Sequence, residues 1–306
     1  MLKIFNLNFI KKIFFYFSIS YVIYALIKNF GQLSLDLQLN NFKINLILSV
    51  GFCLLSILLN ALAWEQIIIW FGHNNNTKEI ISTFISTNIL KYIPGSIWHF
   101  LERFNFLKQK GDEKLAFYAT IVEPYFMLAA ALFLGSIGSL YFPPLILLIL
   151  PTIFLKRDLI YFTIMKIDSI KNKSFRLFKI PVSKQAFDSK IKLNSIFPWH
   201  AFFVDLFFIL FKFLGFISCF YIFNSYDPSK VILVFVVFCI SWSVGLIIPA
   251  APGGAGVFES CFLLFIRNYY PEQSILVAVI FFRFISTSSD LFLASPFFVK
   301  KLLRRN

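Results

Sequence analysis

Apolar runs of membrane length constrain this chain more than any other feature. The run over 44–71 carries a single charged residue, Glu65, beside Trp64 near its end. About 20 apolar residues cross a hydrocarbon core of about 30 Å, and several runs here exceed that. Within hydrocarbon every backbone N–H and C=O needs an internal partner, which restricts such runs to helices or a closed barrel. Runs of this length indicate an all-α polytopic membrane protein, expected to form one integral membrane domain over 1–306. Composition agrees: 58% of residues are hydrophobic, 14% are charged, and mean hydropathy is +0.77.

Taken in order, a short basic tail (Lys3, Lys11, Lys12) precedes a first span over about 13–30. No small-residue cleavage site follows it, so a signal peptide is the weaker interpretation. A polar connection over 31–43 leads to the span at 44–71. A segment broken by Pro94-Gly95 follows and closes at Lys108, Lys110 and Lys114. The third span, 115–136, contains Glu123-Pro124, and a fourth is expected at 140–155. The stretch 156–196 carries ten Lys and Arg against three Asp, the surplus that marks a cytoplasmic loop. The net charge of +14 therefore points to orientation and anionic headgroups rather than nucleic acid, for which no binding fold is visible. A fifth span at 197–224 carries Asp205 and Lys212. Apolar sequence at 231–248 is interrupted by PAAPGGAGVFES and resumes to residue 266. The last span, 274–299, contains Arg283 and Asp290 and ends in KKLLRRN.

Cys53, Cys219, Cys239 and Cys261 lie in apolar runs without paired spacing and read as small hydrophobes, not disulfides or metal ligands. The 43 phenylalanines are consistent with AT-rich coding and are not read as an aromatic ligand box. No Ser/His/Asp set, catalytic carboxylate pair or metal-ligand spacing is present, so neither an enzyme nor a cofactor is expected.

The two interruptions correspond when Pro94-Gly95 is laid over Pro252-Gly253. Glu102 then falls one position from Glu259, Lys108 one from Arg267, and Glu123 two from Arg283. If both interrupted segments are re-entrant, the chain has about six full spans and two broken-helix hairpins. The basic tail, the basic loop and the C-terminal KKLLRR all then lie on the cytoplasmic side. Each half (about 13–136 and 140–299) becomes span, span, hairpin, span, and three spans per half invert the second. Inverted repeats with paired broken helices are a transporter architecture, with the binding site where the halves meet.

KYIPGSIWHFLERF at 91–104, Glu123-Pro124, PAAPGGAGVFE at 249–259 and Arg283 together resemble the transmembrane, flippase-like domain of lysylphosphatidylglycerol synthases and their stand-alone relatives. The resemblance extends over about 80–290. It implies a polytopic lipid-handling protein of the plasma membrane, in some members a flippase for aminoacylated phospholipid, with a separate lipid-synthesising enzyme as partner. Synthase activity is not expected, because in bifunctional members it resides in a separate soluble domain, for which no stretch is seen here.

Candidate headgroup-binding residues follow. Ser96 is expected to open a short helix whose free N–H groups face a phosphate. His99 and Arg103 are four apart on one helix face. Arg103 can grip phosphate bidentately, as Lys91 cannot; the alternative for both cations is snorkelling to the interface. Pro252, Gly253 and Gly254 suit an unwound segment with close backbone packing, and the stretch lacks the Lys-Ser/Thr of a nucleotide loop. Glu259 is expected in the first turn of the next helix, where the dipole favours it. Glu123 and Arg283, of opposite charge and deep in apolar spans, are expected to approach each other, as structural partners or in contact with substrate. Asp205 and Lys212 read as a pair along one helix. Lipid translocation is the first function expected, with transport of a small soluble solute or ion and a lipid-modifying membrane enzyme as alternatives.

Overall fold

A computed structural model describes residues 39–72, 76–93, 97–111, 113–160, 195–247 and 256–303. The expected span at 13–30, the break residues Pro94, Gly95, Ser96, Pro252, Gly253 and Gly254, and most of the basic loop at 156–196 lie outside the described residues. Among the described residues all regular structure is helical.

Helix α1, Leu39–Trp70, stops where Gly72 takes φ +84°, a left-handed conformation that glycine adopts without penalty. The side chain of Asn76 accepts a hydrogen bond from the Lys78 N–H at 3.0 Å and starts α2, Thr77–Asn88. This helix tightens into a 3₁₀ turn, Ile89–Tyr92. Ile93 is extended, the conformation that a following proline imposes. The next helix, α3, runs Trp98–Lys110; it opens at Trp98, two residues later than the expected start at Ser96. Helix α4, Glu113–Gly135, contains Pro124, which removes one backbone donor inside the helix.

Further along, α5 spans Trp199–Phe223 and α6 Val231–Ile247. Ahead of α6, hydrogen bonds from Ser229 and Lys230 hold the Asp227 carboxyl below the usual carboxylate range. Gly256, at φ +87°, opens α7, Val257–Ile266. Helix α8, Glu272–Leu303, closes the described chain.

Among the described residues, five segments are long and apolar enough to cross a membrane: Phe42–Trp70, Ala116–Leu140, Trp199–Phe223, Pro228–Ile247 and Glu272–Phe297. Large apolar side chains such as Ile47, Phe203, Phe207, Leu264 and Phe292 point outward, an arrangement suited to hydrocarbon rather than water. The protein is an all-α membrane protein. The expected fourth span at 140–155 takes a different form. Its apolar part, Pro143–Ile153, is too short to cross as a straight helix and is mostly 3₁₀ turns. Pro143, Pro144 and Pro151 remove the donors that a regular α-helix would need there.

The central packing is α1 against α5, the most extensive helix pair. Ser49 Oγ donates to the Gly215 carbonyl at 2.7 Å, the Phe52 and Phe211 rings lie 5.9 Å apart, and Trp70 Nε1 donates to the Ser195 carbonyl at 3.1 Å. Residue numbers rise on one helix as they fall on the other, so the pair is antiparallel. Helix α8 runs antiparallel to α5 in turn, with the Phe216 and Phe282 rings 5.2 Å apart. Phe216 also meets Phe238 and Phe262, each at 5.0 Å, and so joins α5, α6, α7 and α8 in one aromatic core.

Gly215 lets α1 and α5 approach this closely. A Cβ there would lie 3.0 Å from Cys53 Sγ and 3.2 Å from the Ser49 carbonyl oxygen, which is backbone and cannot swing aside. Gly215→Val is expected to destabilise the protein by about 1–3 kcal/mol through overpacking. Chemical denaturation in detergent checks this, and an unchanged midpoint would mean that the helix pair yields freely.

Candidate functional site: a buried ionic network on the first hairpin

Two helices bounded by the Pro94-Gly95 break, α2 and α3, pack together and against α1, α4 and α8. Four of their polar residues, Thr87, Asn88, His99 and Arg103, are buried. Arg103 on α3 is 1% exposed and Glu123 on α4 is 3% exposed. Arg103 Nη1 donates to Glu123 Oε1 in a buried ion pair. The rest of the guanidinium is also engaged: Nε contacts Thr87 Oγ1 and Nη2 contacts Asn88 Oδ1, both at 3.3 Å. Its plane covers the Phe84 ring at 3.7 Å, with Trp64 at 5.6 Å, so a cation is held by an anion and two aromatic faces.

Asn88 passes the network on. Its Nδ2 donates to Asp290 Oδ1 on α8 at 2.7 Å. The other Asp290 oxygen accepts from Tyr92 at 2.6 Å and pairs with Lys91 at 2.8 Å. One polar chain therefore runs Glu123, Arg103, Asn88, Asp290, Lys91 and ties α4, α3, α2, the 3₁₀ turn and α8 together.

A second, separate pair sits on the other interrupted segment. Glu259, in the first turn of α7 as expected, accepts from the Gly256 backbone N–H at 2.6 Å and from Arg283 Nε at 2.8 Å. Arg283 also lies 5.0 Å from the Phe258 ring.

These pairings correct the expected approach of Glu123 to Arg283. Glu123 binds Arg103, and Arg283 binds Glu259. Each deep charge is neutralised by the helix that precedes its own span in sequence, the short connection placing the two side by side. Arg103 has its donors turned inward onto protein groups, so it holds the hairpin. Lys91 keeps a quarter-exposed side chain, at 26%, yet it is tied to Asp290. His99 is buried, with Nδ1 lacking a hydrogen-bond partner among the described residues. Lys212 donates to Ser286 at 2.6 Å and does not pair with Asp205: seven residues along one helix is about 10 Å of rise.

Asn88, Tyr92 and above all Asp290 complete the network, and the sequence motifs did not single them out. The signal for Asp290 was available, since an ionisable residue inside an apolar span is a functional-site candidate in its own right. Asn88 and Tyr92 carry no such signal, because neither is charged. Among the described residues no group of His, Cys, Asp and Glu is arranged to hold a metal.

What the fold and site define is an all-helical membrane protein whose first hairpin is locked by buried charges. No family model matches the chain, and no curated protein matches it.

Removing one member of a buried pair leaves the other charge stranded. Arg103→Met is expected to lower stability by about 3–5 kcal/mol, and Arg103→Met with Glu123→Leu to recover most of that loss. Denaturation of the three proteins in the same detergent checks it. Equal losses in the single and double variants would mean that the pair is not what the hairpin depends on.

Proposed function

We propose that this chain is a flippase-like transporter that moves a phospholipid with an anionic headgroup between the leaflets of the plasma membrane. The observation carrying this proposal is two partly exposed cations, one beside the first interruption and one paired to the helix that follows the second. Lys91 belongs to the first hairpin and is 26% exposed; Arg283 belongs to the last span and is 27% exposed. The Tyr92 ring lies 5.2 Å from Lys91 Nζ, and its hydroxyl donates to Asp290. Two such cations suit a phosphate, Arg283 through a planar fork and Lys91 as a point charge.

Packing between helices supports the inverted repeat within this proposal. Exchanging α1 with α5, α2 with α6, α3 with α7 and α4 with α8 converts each major helix contact into another that is also present. Thus α4 packs on α6 as α8 packs on α2, α4 on α5 as α8 on α1, and α3 on α4 as α7 on α8. The two ion pairs obey the same exchange with charges reversed: Arg103 on α3 meets Glu123 on α4, and Glu259 on α7 meets Arg283 on α8. Helix α7 has ten residues, about 15 Å, half the thickness of the hydrocarbon core. With α6 it is assigned to a re-entrant hairpin, and α2 with α3 to its mate. The resemblance noted in the sequence supports the same class.

Two measurements test the proposal. In vesicles with a fluorescent anionic phospholipid, Lys91→Gln and Arg283→Lys are each expected to slow translocation about tenfold, a change of about 1.4 kcal/mol in the barrier. Parental rates in both variants would remove the headgroup site. With the 140–155 segment assigned across the membrane, both termini fall in the cytoplasm, so cysteines placed at Ser174 and Asn306 should label from inside and one at Asp36 from outside. Labelling of position 306 from outside would end the inverted-repeat assignment.

A further inference from the structure

Asp205 lies on α5 with 0% of its surface exposed, and neither carboxyl oxygen has a hydrogen-bond partner among the described residues. It is not alone in this. Asn60 Oδ1, Trp64 Nε1 and Glu123 Oε2 are also buried without partners. The fold draws these groups into one region. The antiparallel register of α1 and α5, fixed by Ser49 with Gly215 and Trp70 with Ser195, sets Asp205 level with Asn60. Trp64 follows Asn60 by one helical turn on the same face. Arg103 lies 5.6 Å from the Trp64 ring and binds Glu123, and α4, which carries Glu123, packs on α5.

A carboxylate cannot rest in such a place. Burying an isolated ionised carboxyl is so costly that the group takes up a proton instead. The helices packed on α5 offer no counter-charge. Helix α1 carries Lys43, Cys53 and Glu65, with Lys43 exposed and 17 residues, about 25 Å of rise, from Asn60, and α6 carries Cys239. Arg283 and Asp290 on α8 are engaged with Glu259 and with the Lys91 cluster. On α5 itself Lys212 is turned to Ser286. Helix α4, which also packs on α5, carries the buried Glu123, and it bears the same sign.

We propose that Asp205 is a proton-binding site, buried where α5 packs on α1 and linked through Glu123 to the ion pair that locks the first hairpin. With Asp205 neutral, Glu123 keeps its charge for Arg103. When Asp205 releases its proton, a second negative charge stands within reach of Glu123. Like charges in an apolar region repel, and the repulsion strains the grip of Glu123 on Arg103 that joins α3 to α4. No other ligand is consumed: one O–H bond breaks at Asp205, and the proton passes to solvent. The protonation state of a group on α5 thereby sets the grip on a hairpin two helices away. Coupling of this site to lipid movement rests on the proposed function, whereas the proton itself does not.

Infrared difference spectroscopy of the full-length protein in lipid tests the site directly. The parental protein at neutral pH is expected to show the C=O stretch of a buried protonated carboxyl, shifted when the protein is grown on heavy-carbon-labelled aspartate. Asp205→Asn is expected to lose that band. The label shift is read on the parental protein, so the test survives even if the variant folds poorly. A parental spectrum without a labelled band, or an unchanged band in Asp205→Asn, would overturn the proposal. In vesicles, the parental translocation rate is expected to change about tenfold or more when the pH of both faces is raised through the titration of that band, and the Asp205→Asn rate to stay flat. A parental rate that ignores pH would overturn the link to the hairpin. A parental protein that moves no lipid but shows the band would end the transporter proposal and leave the proton site standing.

Discussion

The buried guanidinium of Arg103 is the interaction on which the first half of this protein depends. A cation 1% exposed inside an apolar helix bundle is tolerable only if its charge and donors are met locally. Glu123 on α4 and Phe84, Thr87 and Asn88 on α2 meet them around a cation carried by α3. Satisfying one residue therefore fixes α2, α3 and α4 relative to one another. Asn88 then extends the constraint to Asp290 on α8 through a single amide, which accepts from Arg103 and donates to the carboxylate. Burial of apolar surface supplies little driving force between helices in a bilayer, because lipid tails are as apolar as leucine.

Elsewhere the bundle is held by close approach and ring packing. Gly215 brings α1 and α5 together. Phe216 touches Phe238, Phe262 and Phe282 on three other helices. The bundle thus divides into two regions of different character: an aromatic core around α5 to α8, and a polar lock around α2 to α4. The Glu259 and Arg283 pair lies in the aromatic region but is itself partly exposed, at 16% and 27%. Of the two ion pairs, the one on the first hairpin is sealed and the one on the second is open. A sealed pair serves to hold geometry; an open pair keeps a guanidinium within reach of an incoming anion.

Hydropathy was enough to establish the class of protein and most of its long helices. The runs read at 44–71, 115–136, 197–224 and 274–299 match the helical segments Phe42–Trp70, Ala116–Leu140, Trp199–Phe223 and Glu272–Phe297 closely. The Pro94-Gly95 break is bracketed by a helix ending at Tyr92 and another opening at Trp98. These features are legible because they are local: length, apolarity and proline stereochemistry act within a few residues of the positions that carry them. The 3₁₀ form of 140–155 was not legible in the sequence because apolarity alone does not separate an α-helix from a chain of 3₁₀ turns.

Partners are another matter, and there the tertiary structure decided. Glu123, Arg283, Asp205 and Asp290 all stand out in sequence as charges inside apolar spans. Which of them pair depends on how each helix is rotated about its axis. In helices that are apolar on nearly every side, as α1, α4 and α6 are, the residue pattern does not announce a facing direction. Glu123 could have met Arg283 across the halves; it meets Arg103 instead, because the short link from α3 to α4 sets those two faces together. Asp290 became the centre of the network only when α8 was laid against α2. Sequence fixes which residues a membrane will not tolerate alone, by the cost of burying their charge. Only the packed helices determine who neutralises them, because that depends on distances between residues as far apart in the chain as Asn88 and Asp290.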